Sequence, residues 1–264
     1  MDYEKIFKGR KLMKGHKISA VLVYCTKEQQ FLEECIQSLI PFCDKIVVPI
    51  TARLWNGKKD NVELLKQAIK IIEKYDKCEI VYYSINSNFT YWENEEYCRK
   101  QGIYALAYSG TEHIIFVDVD EIADSNRFIE WLDEGHYKNY DTIQLKTYWY
   151  WRERKYRSLQ YPNGPITLMN IKAAWDWYNS KAKVKGRALI GNTLIGAFHK
   201  DGKPMIHHYS WVRDKEGFYL KTKSWGELED SGHKDWENLY NEEMSREFNG
   251  KDFVHGYEYE FLEK

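Results

Sequence analysis

Three carboxylates follow directly after an apolar run in the stretch EHIIFVDVDEIAD, residues 112–124. The run ends at Val117 and is succeeded by Asp118, Asp120 and Glu121. Two aspartates at positions i and i+2, where a strand ends, can project in the same direction. Their oxygens suit Mg²⁺ or Mn²⁺, ions that commonly bridge a diphosphate. The spacing therefore predicts that one aspartate ligates a divalent cation while the other reaches a ribose or a metal-bound water.

The same acids also have a purely structural interpretation. They are equally typical of a solvated strand-to-helix turn in which Asp124 or Ser125 caps the following helix. D-x-D is a short motif with many chance occurrences, so the elements around it have to decide between the two interpretations.

A run of alternating rings and cations from Tyr148 to Arg157 is the second feature that could do chemistry. Such a run can grip a sugar face, a phosphate or an unstacked base. It is also typical of an amphipathic strand. The aromatic content of 16%, with 21 Tyr and 10 Trp, favours the presence of some rings that are used for binding.

The elements before the acids alternate between strands and helices. KISAVLVYC is a continuous apolar run with β-branched residues, typical of a strand buried on both faces of a parallel sheet. Apolar residues then recur at helical spacing up to Pro41, between about Asn61 and Tyr75, and between about Asn94 and Tyr108. The further strand candidates are KIVVPI, EIVYY and HIIFV. This rhythm predicts an α/β fold, a three-layer α/β/α sandwich with a mainly parallel central sheet.

The acids lie where such folds bind ligands. Ligands of open α/β sheets occupy the crevice beyond the carboxyl ends of the strands. Asp118 stands where the fourth apolar run ends, so position and chemistry agree on a binding site.

Beyond residue 121 the pattern changes, which predicts a second lobe. DTIQLKTYWYWRERKYR is typical of one aromatic and basic strand, and YPNGP of a turn. From Asp214 to Phe248, charged residues are interspersed with anchors such as Phe218 and Trp225. This last pattern favours C-terminal helices.

Charge and cysteine usage exclude several classes of protein. The formal net charge of −1 provides no global attraction to phosphate backbones or anionic lipid. The five cysteines contain no C-x-x-C pair and are typical of small core residues in a reducing compartment. The N-terminus MDYEKIFKGRKLMKG has no apolar segment, and no run of about 18 apolar residues occurs. We therefore expect a cytoplasmic protein without a membrane span.

The order of these motifs resembles a known family. KISAVLVYCTKEQQFLEECIQSL with PFCDKIVV, then EEYCRKQGI, then HIIFVDVDE, is similar to the nucleotide-sugar half of family 2 glycosyltransferases with the GT-A fold. The resemblance covers roughly residues 17 to 125. IHHYSWVRDKEGFYLKTKSWGE is similar to a C-terminal segment of bacterial and phage members.

The resemblance implies a division of one GT-A domain into parts. Residues 1–124 are expected to form the nucleotide-sugar-binding half and 125–212 the acceptor-binding half. Residues 213–264 are expected to form a C-terminal helical extension. Nothing in the sequence indicates an oligomeric state.

The resemblance also implies roles for individual residues. Asp118 is expected to contact the ribose or the metal, and Asp120 to ligate a Mn²⁺ or Mg²⁺ ion that neutralises the leaving nucleoside diphosphate. His208 is the candidate third protein ligand, ahead of its neighbour His207. A buried histidine pair that only satisfies hydrogen bonds is the structural alternative. The other residues expected to contact the nucleotide sugar are Tyr24, Thr26, Arg99, Arg213, and Lys221 or Lys223.

One departure from the family concerns the nucleotide base. The family usually carries an Asp directly after the second strand, where it reads the uracil edge, whereas this chain has Pro49 at that point. Asp60, in the enlarged loop, is the candidate replacement, and Thr26 stands where the family usually has Asn. The resemblance therefore implies a nucleoside-diphosphate sugar as donor and leaves its base open.

Family members invert the anomeric centre, which requires a general base for the acceptor hydroxyl. Asp176, flanked by rings in AAWDWYN, is the preferred candidate because an aromatic wall can desolvate a carboxylate and stack on an acceptor. Glu153 is the second candidate, and a plain surface position is the alternative for Asp176. The acceptor is expected to be a saccharide, a lipid-linked glycan or a hydroxylated base of phage DNA; the last would place the enzyme in the host cytoplasm.

Three other functions fit parts of the sequence. A phosphatase of the haloacid dehalogenase type also uses D-x-D, but its nucleophilic Asp follows the first strand and precedes a Thr. A sugar-phosphate nucleotidyltransferase has a Gly-rich N-terminal loop, and VYCTKEQQ contains no glycine. An aromatic-rich nucleic-acid- or glycan-binding module without catalysis is the non-enzymatic alternative.

Overall fold

The carboxyl ends of four parallel strands form the edge at which the acids lie. The computed structural model of the protein describes residues 16–180, 188–224 and 236–263. The first strands are β1 (Ile18–Val23), β2 (Lys45–Ile50), β3 (Cys78–Tyr82) and β4 (His113–Asp118). They lie in the order β4-β1-β2-β3, and Val23 at the end of β1 pairs with Asp118 at the end of β4. The predicted parallel arrangement is therefore confirmed for this half of the sheet.

The second half of the sheet is mixed. Its strands are β5 (Glu121–Ala123), β6 (Thr142–Trp151), β7 (Glu153–Ser158), β8 (Asn163–Asn170), β9 (Thr193–Ala197), β10 (Ile206–Trp211) and β11 (Tyr259–Phe261). β8 joins the two halves because it pairs antiparallel with both β4 and β6. β10 runs parallel to β6 and antiparallel to β5. The expectation of a mainly parallel sheet is thus only partly met, since the hairpin connections after residue 121 reverse strand direction.

Helices cover both faces of the parallel strands. They are α1 (Leu32–Leu39), α2 (Val62–Ile72), α3 (Tyr91–Ala105), α4 (Ser125–Asp133), α5 (Ile171–Asn179), α6 (Lys215–Ser224) and α7 (Trp236–Ser245). Ala20 and Leu22 of β1 pack in one core with α1, α2 and α4, while Val21 and Val23 pack in another with α3 and α5. Successive residues of a strand point to opposite faces. The three-layer α/β/α architecture is therefore confirmed.

Helix α3 approaches β1 very closely. It begins at Tyr91, three residues before the predicted start, because Thr90 and Glu93 form a capping box. A Cβ atom built on Gly102 would lie 2.4 Å from Val21 Cγ1. Glycine is therefore required at this position for the helix to pack against the strand.

Two predictions beyond residue 121 are wrong in detail. The single aromatic strand is in fact a hairpin of β6 and β7, which turns at Arg152 with φ of 59°. A non-glycine residue in this left-handed region is uncommon, so the sequence carries no turn signal there. The stretch 161–165 is not simply a turn, because β8 begins at Asn163.

The C-terminal helices are present as expected in the part of the chain that is described. Phe218 of α6 is buried against Trp211 and Tyr240. The predicted anchor Trp225 lies outside the described residues, as does the N-terminal stretch 1–15. No helix within the described ranges is long and apolar enough to cross a membrane.

Candidate functional site

The turn after β4 is held by Glu121, the third of the three acids that follow the apolar run. The backbone N–H of Asp118 donates to Glu121 Oε2 at 2.7 Å, and Glu121 is fully buried at the start of β5. On the other side, the N–H of Tyr209 in β10 donates to the carbonyl of Asp120 at 2.8 Å. Asp124 caps α4 by accepting from Arg127 N–H. Glu121 and Asp124 therefore shape the turn, and Asp118 and Asp120 remain as the acids to consider for chemistry.

Asp120 lies in a buried cluster of charged side chains. Its Oδ1 is 3.5 Å from His208 Nε2, and its Oδ2 is 3.4 Å from Arg213 Nη2 and 3.6 Å from Lys221 Nζ. Burial opposes ionisation of this carboxyl, but His208, Lys221 and Arg213 outweigh it and hold its pKa well below the ordinary range. Asp120 is therefore an anion held among positively charged groups.

A second carboxylate, Glu28, completes this cluster from the loop after β1. Arg213 Nη2 donates to Glu28 Oε2, and Lys221 Nζ lies 3.9 Å from Glu28 Oε1. Arg213 also donates to the carbonyls of Ser210 and Lys27, so its fully buried guanidinium is rigidly placed. Burial and the charge of Arg213 lower the pKa of Lys221 to about 8. Two carboxylates thus balance two cations in a site shielded from water.

Asp118 belongs to an adjacent pair. Its Oδ1 accepts from Arg99 Nη2 at 3.1 Å, and Arg99 also donates to Glu95 at 2.8 Å. Arg99 is 2% exposed, and its Nε and Nη1 atoms have no hydrogen-bond partner in the described part of the chain. A buried donor without a partner is costly, so these atoms are suited to receive a ligand oxygen.

The fit of a divalent cation can be judged from the donor atoms present. Within the described ranges, no three His, Cys, Asp or Glu side chains converge on a possible metal position. Asp120 Oδ1 and His208 Nε2 are neighbours, whereas Asp118 is engaged with Arg99. Mg²⁺ commonly uses one or two protein ligands and completes its shell with substrate phosphates and water. The pair Asp120 and His208 therefore fits a cation that binds together with a phosphate substrate.

The loops after β1 and β2 form a recess beside the cluster. Thr26 Oγ1 donates to Asp60 Oδ1, and the Tyr24 hydroxyl donates to Gln29. Tyr24, Trp55 and Asp60 line the recess, and burial raises the pKa of Asp60. Asp60 and Thr26 are therefore hydrogen-bonded to each other, and their part in nucleotide recognition stays a prediction.

The two histidines of β10 face different surroundings. His208 contacts Asp120 and lies edge-on to Trp149, with ring centroids 4.4 Å apart. His207 accepts or donates a 2.6 Å hydrogen bond with the Tyr150 hydroxyl, and burial lowers its pKa to about 4. His208 and not His207 therefore lies beside Asp120, and its role as a metal ligand stays a prediction.

The two carboxylates expected to act as base lie on the surface. Asp176 on α5 is 52% exposed and pairs with Lys172 at 2.7 Å. Glu153 is 57% exposed and pairs with Lys155 at 3.0 Å. No hydrogen bond or ion pair of the described residues joins either one to Asp120. The aromatic flanks of Asp176 are explained by packing, because Trp177 is buried against Phe116.

Sequence reasoning missed Glu28 and Trp149 as members of the site. Glu28 is separated from Arg213 by 185 positions, and no local pattern links the two. The one available signal was position, because Glu28 follows the carboxyl end of the first strand, where α/β folds bind ligands. Trp149 was visible only as one ring within a longer aromatic run.

Comparison with known proteins gives structural neighbours but no sequence relative. No protein-family model and no curated protein matches the chain. S. aureus TarS 1-349 is similar with a TM-score of 0.46 and 14% identity, over 84% of this chain and 67% of that chain. The T. maritima inositol-1-phosphate CTP transferase has a TM-score of 0.44 and 8% identity, over 80% and 97%.

A third neighbour is the mannose-1-phosphate geranyltransferase of Thermus thermophilus, with a TM-score of 0.43 and 10% identity, over 79% of each chain. TarS 1-349 in complex with UDP-GlcNAc is also similar, with a TM-score of 0.39 and 15% identity, over 61% of this chain and 47% of that one. All these TM-scores lie below 0.5, so the function proposed next is argued from the residues of this chain.

Proposed function

We propose that this chain is a glycosyltransferase that moves a sugar from a nucleoside-diphosphate sugar to an acceptor hydroxyl, assisted by Mn²⁺ or Mg²⁺. One observation carries the proposal. Asp120, His208, Arg213 and Lys221 meet in a buried cluster at the carboxyl end of β4. The resemblance of the preceding elements to family 2 glycosyltransferases supports the same function.

The cluster has the chemistry that departure of a diphosphate demands. Cleavage of the sugar–phosphate bond leaves negative charge on the diphosphate, and fixed cations in a water-excluded site stabilise such charge strongly. Arg213 and Lys221 are two such cations, and Glu28 balances them in the free protein. A Mn²⁺ or Mg²⁺ ion held by Asp120 and His208 would supply further Lewis-acid charge at the leaving group.

The nucleoside end of the donor fits the neighbouring residues. Tyr24, Trp55 and Asp60 offer rings and a carboxyl to a base and a ribose. The recess that they line measures about 10 Å³, so the loops after β1 and β2 would have to move apart to admit a nucleoside. Asp118 at the end of β4 pairs with Arg99 of α3, and the Nε and Nη1 atoms of Arg99 have no hydrogen-bond partner in the described ranges. Asp60 would thus take the role of the aspartate that the family usually carries at the position of Pro49.

The released product separates this function from its competitors. We would incubate the protein and Mn²⁺ with UDP-, dTDP-, GDP- and ADP-sugars and assay the products. A glycosyltransferase releases a nucleoside diphosphate even with water as acceptor. A nucleotidyltransferase instead consumes pyrophosphate when it cleaves a nucleotide sugar, and a phosphatase releases inorganic phosphate. A binding module releases none of these.

Substitution of the central acid makes the test specific to the site. Asp120→Ala should abolish nucleoside diphosphate release while circular dichroism shows an intact fold. Asp76→Ala changes an exposed acid at the opposite end of the parallel strands and should leave turnover unchanged. Turnover retained by Asp120→Ala would remove the basis of the proposal.

A further inference from the structure

A histidine from the C-terminal segment faces the same aromatic wall as the charged cluster. His255 lies edge-on to Trp149, with ring centroids 4.8 Å apart, and Trp149 contacts His208 in the same way at 4.4 Å. His255 also contacts the ring of Trp211 at 6.3 Å, over which Lys221 Nζ lies at 5.3 Å. The indoles of Trp149 and Trp211 therefore lie between His255 and two of the three neighbours of Asp120, His208 and Lys221.

His255 is oriented by a buried carboxylate. Asp252 Oδ1 lies 3.7 Å from His255 Nδ1, and the Asp252 side chain is fully buried. The same carboxylate accepts from the backbone N–H groups of Val254, His255 and Tyr257 and from the Tyr259 hydroxyl. Asp252 thus holds the turn that carries His255 and places a negative charge on the Nδ1 side of the imidazole.

The opposite nitrogen of His255 is available to a ligand. A quarter of the side chain is exposed, and no hydrogen bond joins Nε2 to any residue in the described ranges. Trp149, the ring between His255 and His208, has a buried Nε1 without a hydrogen-bond partner in the same ranges. His255 Nε2 therefore provides a hydrogen-bond acceptor one indole ring away from His208, which contacts Asp120.

We propose that His255 is the general base that takes the proton of the acceptor hydroxyl, with Asp252 as its positioning residue. The inference rests on the proposed function and names the missing base for it. The acceptor oxygen forms its bond to the anomeric carbon while the bond from that carbon to the diphosphate oxygen breaks. The hydroxyl proton passes to His255 Nε2, and the bonding electron pair leaves with the diphosphate beside Arg213 and Lys221.

The carboxylates near the cluster are less suited to this task. Glu28 and Asp120 are both engaged by Arg213 and Lys221, so their oxygens already have cationic partners. Asp176 and Glu153 are exposed and paired with lysines. His255, in contrast, has an Nε2 atom that no hydrogen bond within the described ranges occupies, and histidine is the side chain that most often acts as a general base.

The test is chemical rescue of a variant that lacks the imidazole. His255→Ala should lower kcat for hydrolysis of the nucleotide sugar that the wild type turns over by about 100-fold, with KM nearly unchanged. Added imidazole should recover about tenfold of that loss, because the position is open to solvent. His136→Ala, which removes an exposed histidine far along the chain, should keep wild-type kcat and show no response to imidazole. A role limited to packing against Trp149 would give no rescue.

The outcomes separate this inference from the proposed function. If the wild type turns over a nucleotide sugar and His255→Ala does so equally well, His255 is not the base and the glycosyltransferase proposal stands. If His255→Ala loses kcat but imidazole does not restore it, the role is structural and the inference is again wrong. Should His255→Ala unfold, His255→Gln serves instead, and normal kcat in that folded variant would refute the inference. If the wild type itself releases no nucleoside diphosphate, both proposals fail.

Discussion

The balance of charge around Asp120 is the most informative feature at the scale of single residues. Lys221 and Arg213 are buried, and each contacts both Asp120 and Glu28. Buried ion pairs contribute little to stability because their desolvation offsets the attraction. Under the proposed function, these four buried ion pairs at the end of β4 are explained by a ligand that carries charge of its own.

Removing one cation tests whether the cluster stabilises a leaving diphosphate. Lys221→Met keeps the apolar stem and removes the ammonium 3.6 Å from Asp120. We expect kcat for nucleotide-sugar turnover to fall by about 100-fold, as for loss of one donor at a developing anion. UDP binding, measured by calorimetry, should weaken in parallel.

Lys215→Met is the matched control because Lys215 is exposed at the start of the same helix. It should keep wild-type turnover and UDP affinity. Wild-type kcat in Lys221→Met would mean that the ammonium only balances charge in the free protein.

At the scale of elements, local signals and tertiary constraints can be told apart. The strands and helices up to β4 could be predicted because apolar periodicity, the cap at Asn61 and the stop at Pro41 all agree. The hairpin at Arg152 could not be predicted, because the left-handed backbone of Arg152 is stabilised by a contact with a residue far away in the sequence. Arg152 donates to Glu243 on α7, 91 positions away.

The contact between α3 and β1 gives a prediction at this scale. Alanine is normally preferred over glycine inside a helix, but a Cβ at position 102 would overlap the Val21 side chain. Gly102→Ala should therefore destabilise the protein by about 1–3 kcal/mol, the usual range for overpacking. Urea denaturation followed by circular dichroism measures this change in the free energy of unfolding.

A double variant supplies the control. Val21→Ala removes Cγ1 and Cγ2, the two atoms nearest the new Cβ, and leaves only the Cβ of residue 21 at 3.1 Å. Gly102→Ala should therefore cost much less stability in that background. An equal loss of unfolding free energy in both backgrounds would show that α3 and β1 accommodate the new Cβ by another adjustment.

At the scale of the whole molecule, the site could be predicted only in part. Asp120 and Asp118 were visible because they end a strand, and His208 and Arg213 were reached through resemblance. Glu28, Trp149 and His255 could not be assigned because the contacts that define them join β1, β6 and the C-terminal segment across the fold. The division into parts at residues 124 and 212 stays a prediction.

The stability of the whole fold should depend on pH through His113. Burial lowers the pKa of this β4 residue to about 4 from its usual 6.5, so the unfolded chain binds the proton more readily than the native one. Stability is therefore complete above pH 6.5 and is lost as the pH falls toward 4. His113→Gln should reduce the loss of unfolding free energy over this window, as measured by urea denaturation at each pH.

The pH dependence of each variant has to be compared with that of the wild type, because many carboxyl groups titrate over the same pH range. His136→Gln, at an exposed position, should keep the wild-type dependence on pH. A His113→Gln profile parallel to that of the wild type would contradict the assignment.

The pairing of β11 with β7 has a consequence for how the protein is made. Arg157 of β7 bonds Glu260 of β11, 103 positions later, and the turn that carries His255 lies just before this strand. Chains emerge from the ribosome at about 5–20 residues per second, and their N-terminal parts fold first. The strands β1 to β4, the last of which ends at Asp118, are thus synthesised well before Arg213, Lys221 and His255. Under the proposed function, a nascent chain acquires its acids and a place for the nucleoside first, and it becomes able to break a sugar–phosphate bond only after Arg213, Lys221 and His255 have emerged.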